Sequence, residues 1–139
     1  MTSGDSYDDN WLVIGGRVRT PDGRWSFREP VLLTAEGRRL SRWLRAAVAG
    51  RIAVAQPDTE GGWSPSLTFT ESVLAFSLAS RSDGDVVVRV HLSLEASPPW
   101  RPDIEGDMVP YDVEIELTEV ELLRAANEWD RELLAYPDR

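Results

Sequence analysis

The sequence predicts an α+β domain: a mostly antiparallel six-stranded sheet, open to curling, with one helix inserted and one at the C-terminus. Three stretches carry that expectation. Val86, Val88, Val90, Leu92 and Leu94 alternate with Val87, Arg89, His91, Ser93 and Glu95, so one face is apolar and the other mostly polar. Leu74, Phe76 and Leu78 alternate in the same way, and Asp83-Gly84 between the two runs is the dipeptide a tight hairpin turn selects. Thr118-Glu119-Val120-Glu121 has the form of a capping box ahead of a helical apolar pattern. The hairpin needs the rest of the chain. Burying an aliphatic side chain yields about 1.5–3 kcal/mol, and ordering each backbone residue costs about 1–2 kcal/mol.

In chain order, residues 1–9 read as a loose polar lead-in to one domain spanning 1–139. A strand over 11–19 contains Gly15-Gly16, which calls for a bulge or a close backbone approach. Thr20-Pro21-Asp22-Gly23 is a turn, and a strand over 24–33 follows with Trp25 and Phe27 on one face. Pro30 marks that strand as an edge or its end. The helix over 35–49 opens at Thr34 as N-cap with Glu36 in its first turn. Leu40, Trp43, Leu44, Ala47 and Val48 recur at helical spacing, Arg38, Arg39, Arg42 and Arg45 form a solvated face, and Gly50 ends the helix. Ile52-Ala53-Val54-Ala55 reads as a short strand, 56–62 as a loop and 67–71 as a strand.

The hairpin strands are expected over 73–80 and 86–96. The prolines at 98, 99 and 102 end the second one. An acidic loop follows, then a last strand over 109–117 and a helix over 119–135. Leu117 and Leu122 are spaced as a hydrophobic staple around the Thr118 cap.

Composition narrows the chemistry. The 139 residues include no cysteine and one histidine, which argues against a disulfide framework, thiolate catalysis and a structural zinc site. The first residues lack the basic start and apolar run of a secretory signal, and no apolar stretch approaches ~20 residues, so the expectation is a cytoplasmic protein with no membrane partner. Net charge is −9 and uneven. Residues 1–50 carry eight Arg against six carboxylates, and residues 51–139 carry seven against eighteen. Such a surface repels nucleic acid and attracts a basic protein.

No catalytic residue, cofactor or metal site is assigned. His91 is the one candidate for acid–base work, with Arg89 and Ser93 on its face, but no nucleophile elbow surrounds Ser93. Glu114 and Glu116 share a face with Asp112, as paired carboxylates for glycoside hydrolysis or a hard cation would. A small-ligand or hydrolytic protein using His91, Glu114 and Glu116 is therefore the alternative reading. Six tryptophans is a high count, and Trp63 and Trp100 fall in Gly- and Pro-rich loops. A loop tryptophan beside acids is a binding anchor or a lid over a small core. The anchor reading assigns partner binding to Trp100, Asp103, Glu105, Asp107, Glu114 and Glu116.

Several segments occur together in an order that resembles a known family. They are Asn10-Trp11-Leu12, Gly23-Arg24-Trp25-Ser26-Phe27 and Pro30-Val31-Leu32-Leu33-Thr34 leading into Leu40 and Trp43-Leu44. They continue with Leu67-Thr68-Phe69-Thr70-Glu71, Leu74-Ala75-Phe76, and Val90-His91-Leu92-Ser93-Leu94-Glu95 ending in Pro98-Pro99-Trp100. Over about residues 10 to 136 the chain resembles the WapI-type immunity proteins. The resemblance implies a non-enzymatic cytoplasmic antitoxin that protects its own cell from a polymorphic toxin, often one ending in a nuclease domain. The partner it implies is a basic toxin domain, with a homodimer left open. It carries over no binding residues.

Overall fold

The strands form where the alternation places them, but they divide between two sheets. The computed structural model describes residues 11–57, 65–100 and 110–136. In chain order the elements are β1 (Trp11–Thr20), β2 (Gly23–Leu33), α1 (Thr34–Val48), β3 (Leu74–Ser82), β4 (Asp85–Leu92), a 3-10 turn (Leu94–Ala96), β5 (Tyr111–Thr118) and α2 (Glu119–Leu133). β1 and β2 make an antiparallel two-stranded sheet, and β3-β4-β5 makes an antiparallel three-stranded one. The expected single six-stranded sheet is thus corrected to two and three strands. No described helix is long and apolar enough to cross a membrane.

The separation has a physical cause. The β1–β2 hairpin meets the second sheet through aromatic side chains instead of a backbone ladder. Trp25 lies edge-on to both Trp100, at 5.2 Å, and Tyr111, at 5.4 Å. Its indole N–H donates to the Ala96 carbonyl at 2.8 Å. Within the hairpin, the bulge falls where Leu12 pairs with Leu32 and Val13 with Pro30. The extra residue, Val31, lets Val31 and Leu32 both bury completely. The paired glycines serve the other expectation, close approach: the Phe27 ring lies over Gly16 and leaves no room for a Cβ.

The expected strand over 67–71 is an irregular strap. Leu67 and Phe69 are buried and Thr68 and Thr70 exposed, as alternation predicts. The backbone pairs only at Leu67 with Phe76. Thr70 turns away because its N–H and hydroxyl both donate to Glu36 Oε2, at 2.7 and 2.9 Å. Glu36 Oε1 accepts from the Leu33 N–H at 2.9 Å. Leu33, not the expected Thr34, is consequently the N-cap of α1, and the helix starts at Thr34, one position before the expected start. Ile52–Ala55 contributes a single parallel bridge, Val54 to Leu78, in place of a strand.

β4 also ends sooner than the alternation suggests. It stops at Leu92, and Leu94 takes a positive φ of 52° that starts the 3-10 turn and presents Ala96 to Trp25. The Asp83-Gly84 turn forms as expected, with φ of 34° and 85° and Ser82 opposite Asp85.

The helices cover the apolar sheet face. Leu40, Trp43, Ala47 and Leu122 join Val86, Val88 and Leu92 in one core. Arg81 fastens the layers: it donates to the Ala47 and Val48 carbonyls at the end of α1 and to Glu119 Oε2 at 2.7 Å. α2 starts on the expected capping box, Glu121 N–H to Thr118 Oγ1 at 3.0 Å and Thr118 N–H to Glu121 Oε1 at 2.9 Å. Across the helix pair, the Ser41 hydroxyl and the Arg45 guanidinium hold the Asp130 carboxyl below the ordinary carboxylate range.

Two outcomes follow. Thr118→Ala removes one half of the box and is expected to cost about 1 kcal/mol in urea unfolding. Asp130 has a lowered folded-state pKa, so its contribution is present above the ordinary carboxylate value and is lost as pH falls through the lowered one. Asp130→Asn is expected to lower the melting temperature slightly at neutral pH, by under about 1 kcal/mol equivalent for a half-exposed pair. The difference from wild type should vanish in acid.

Candidate partner-binding surface

β4 is the middle strand of its sheet, and the side chains of both its faces are covered. Val86, Val88 and Leu92 face the core. On the other face, the mostly polar one, Arg89 and His91 are each only 3 % exposed. Buried polar groups of this kind need partners, and the register supplies them. Arg89 lies opposite Glu114 and His91 opposite Asp112. Arg89 Nε and Nη2 donate to Glu114 Oε2 at 3.2 and 2.9 Å. His91 Nδ1 bonds Asp112 Oδ1 at 2.7 Å, and its Nε2 bonds Ser77 Oγ of β3 at 2.8 Å. The carboxylate only accepts, so Nδ1 carries a proton.

Serine, histidine and aspartate in this connectivity resemble a nucleophilic triad. Burial sets them apart from one: Ser77 has no exposed surface, so its hydroxyl faces no substrate. The row instead ties β3, β4 and β5 together. Ser93 was the serine expected beside His91; the one that reaches it is Ser77, diagonal across the β3–β4 ladder. The cross-strand pairing of β4 with β5 would have revealed Asp112 and Glu114 as the partners of His91 and Arg89, but that register is a long-range property.

The expected partner-binding residues lie in three places. Glu114 and Glu116 share the outer face of β5 with Asp112, all exposed. They border an open groove with Ala79, Ser80, Val87 and Arg89. Glu114 keeps a 55 % exposed side chain despite its bond to Arg89. Trp100 is 47 % exposed and packs over Gly23 and against Trp25. It belongs to the cluster on the Tyr111 side of β5, whereas Asp112, Glu114 and Glu116 point to the opposite face. Tyr111 is fixed there by donating to Asp22 Oδ2 at 2.6 Å. Asp103, Glu105 and Asp107 lie outside the described residues. Among the described residues no group of His, Asp and Glu is arranged to hold a metal ion.

A second charged surface escaped the sequence reading. The outward face of β1–β2 consists of Val13, Gly15, Arg17, Arg19, Arg24, Ser26, Arg28 and Pro30, all exposed, with Arg19 directly opposite Arg24. Four cations and no carboxylate occupy one face of a chain whose net charge is −9. Alternation within each strand predicts this face once the hairpin register is known.

Asp112→Ala would leave the buried His91 N–H without its acceptor. The expected cost is about 1–3 kcal/mol in urea unfolding at neutral pH. Asp112→Asn, which retains an acceptor oxygen, should cost less.

A family model described as the immunity protein WapI-like family matches residues 2–137. No curated protein matches the chain, and no solved structure does.

Proposed function

The chain belongs to the WapI-like immunity protein family, and from that premise we propose that it is a cytoplasmic, non-enzymatic antitoxin that binds and neutralises a basic toxin domain, a nuclease by preference. The observation that carries the reading is the exposed carboxylate row on β5, Asp112, Glu114 and Glu116. A nuclease presents cations where it grips phosphates. An acidic protein seated on or beside that groove excludes the substrate and is drawn to it electrostatically. Trp100 supplies an aromatic surface at the other side of β5, and Asp103, Glu105 and Asp107 belong to the proposed contact by their charge and their place between Trp100 and β5.

The test is a pull-down from lysate of the source cell, with the tagged full chain as bait and a low-salt wash. The expected catch is a basic domain that arrests growth when expressed alone and is harmless when the chain is co-expressed. Recovery of the bait alone, or of a domain whose toxicity the chain does not relieve, would overturn the reading. Association with that domain should slow as salt rises, because exposed charges are screened within about 10 Å at 0.1 M. A rate unchanged at about 0.5 M salt would remove the electrostatic part while leaving the antitoxin role.

A further inference from the structure

Among the described residues β5 is hydrogen-bonded on one side only. Its neighbour is β4, and no described segment pairs with its other side. Exposed strand edges are usually blunted by charged side chains, proline, a bulge or short length, and the charges on β5 are its three carboxylates. β5 has eight residues, YDVEIELT, with no proline, no lysine and no register shift. The apolar face of the sheet also runs out at this edge. Val113 and Leu117 are half-buried, and Ile115 between them is 42 % exposed. On the opposite face Asp112, Glu114 and Glu116 recur every second residue, about 7 Å apart along the strand.

Those carboxylates decide what can add. A second copy pairing β5 to β5 would set two acidic rows side by side, and like charges directly opposite destabilise a strand pair. A strand with Arg or Lys on one face and aliphatic residues on the other would meet the carboxylates with cations and cover Ile115. We propose that the open edge of β5 receives a β-strand from the toxin, basic beside Asp112, Glu114 and Glu116 and apolar beside Val113, Ile115 and Leu117. Main-chain hydrogen bonds supply affinity in this mode, and alternate side chains supply specificity. The inference rests on the toxin-binding reading above and names its geometry.

The probes are two synthetic β-hairpin peptides, one with an outer strand alternating Arg and Val, the other alternating Glu and Val. The readout is residue-resolved amide hydrogen exchange of the full chain by NMR. The Arg–Val hairpin at saturation is expected to slow alternate amides of β5 by on the order of tenfold, leaving those of β1 and β2 unchanged. The Glu–Val hairpin should protect none. Glu116→Arg, at an exposed position with no hydrogen bond or ion pair among the described residues, should weaken the Arg–Val hairpin by up to about fivefold, the upper range of one cross-strand charge pair. Strand addition is overturned if the Arg–Val hairpin protects no β5 amide, or if both peptides protect β5 equally. The experiment reads the edge without the toxin. Protection of β5 in a chain that fails to rescue toxin-expressing cells would remove the antitoxin reading alone, and rescue without β5 protection would remove strand addition alone.

Discussion

Arg89 and His91 are buried in the middle strand of a three-stranded sheet, and much of the architecture answers to them. A guanidinium and an imidazole removed from water must be hydrogen-bonded, or the strand that carries them cannot stay where it is. β5 provides Glu114 and Asp112, each directly opposite, and β3 provides Ser77. A slip of one residue in the β4–β5 register would carry both carboxylates to the core face and leave both cationic or polar partners unanswered. The polar row therefore pins the register together with the aliphatic face, since the same slip would carry Val113, Ile115 and Leu117 away from the core. Among the described residues it engages Asp112 and Glu114 but not Glu116.

The remaining layers are joined by single polar clasps set in apolar contacts. Three tryptophans each donate an indole N–H to a different segment: Trp25 to Ala96, Trp43 to Ser66 and Trp129 to Gly37. Each ring packs apolar surface while its N–H finds an acceptor on another segment. Glu36 does the same with a carboxylate, closing the start of α1 onto the Thr70 strap. Trp25, Trp43 and Trp129 are thus structural. Trp100 differs: it completes the Trp25–Tyr111 cluster with one side while nearly half of its surface stays in water.

What could be read in advance was local. The period-two runs as far as Leu92, the Asp83-Gly84 turn and the Thr118–Glu121 box each rest on residues within a few positions of one another, and each stands. The segments quoted for the family resemblance led to the same family that the match over residues 2–137 establishes. Apart from the N-cap of α1, which moves from Thr34 to Leu33 through Glu36 three residues on, the departures involve partners far along the chain. Residues 67–71 alternate like a strand, yet Glu36 captures the backbone that a strand would have used. The strands were legible but not their division into two sheets, because Trp25 makes with Trp100 and Tyr111 the junction that a ladder was expected to make. At the surface, Glu114 and Glu116 were legible as one face. Trp100 was not separable from them until β5 placed Tyr111 and Glu114 on opposite sides.

Charge placement bears on orientation more than on affinity. The Arg17, Arg19, Arg24 and Arg28 face and the Asp112, Glu114 and Glu116 row lie on different sheets, so the chain carries an internal separation of charge larger than its net −9 suggests. A cationic partner approaching within a Debye length is attracted by one side and repelled by the other. For the basic partner proposed above, repulsion at the arginine face would remove a set of wrong encounters before any contact forms and raise the fraction of collisions that arrive at β5. At contact the long-range field no longer discriminates between one carboxylate and the next. Selection then passes to short-range terms: the direction of the β5 backbone, the partly exposed Ile115, and the fact that Asp112 and Glu114 are already half-engaged by His91 and Arg89. A partner that displaced either carboxylate would uncover a buried nitrogen, so a well-matched one must bind the free lone pairs and leave the internal bonds in place. The polar row that holds the sheet together thereby also limits how it can be gripped.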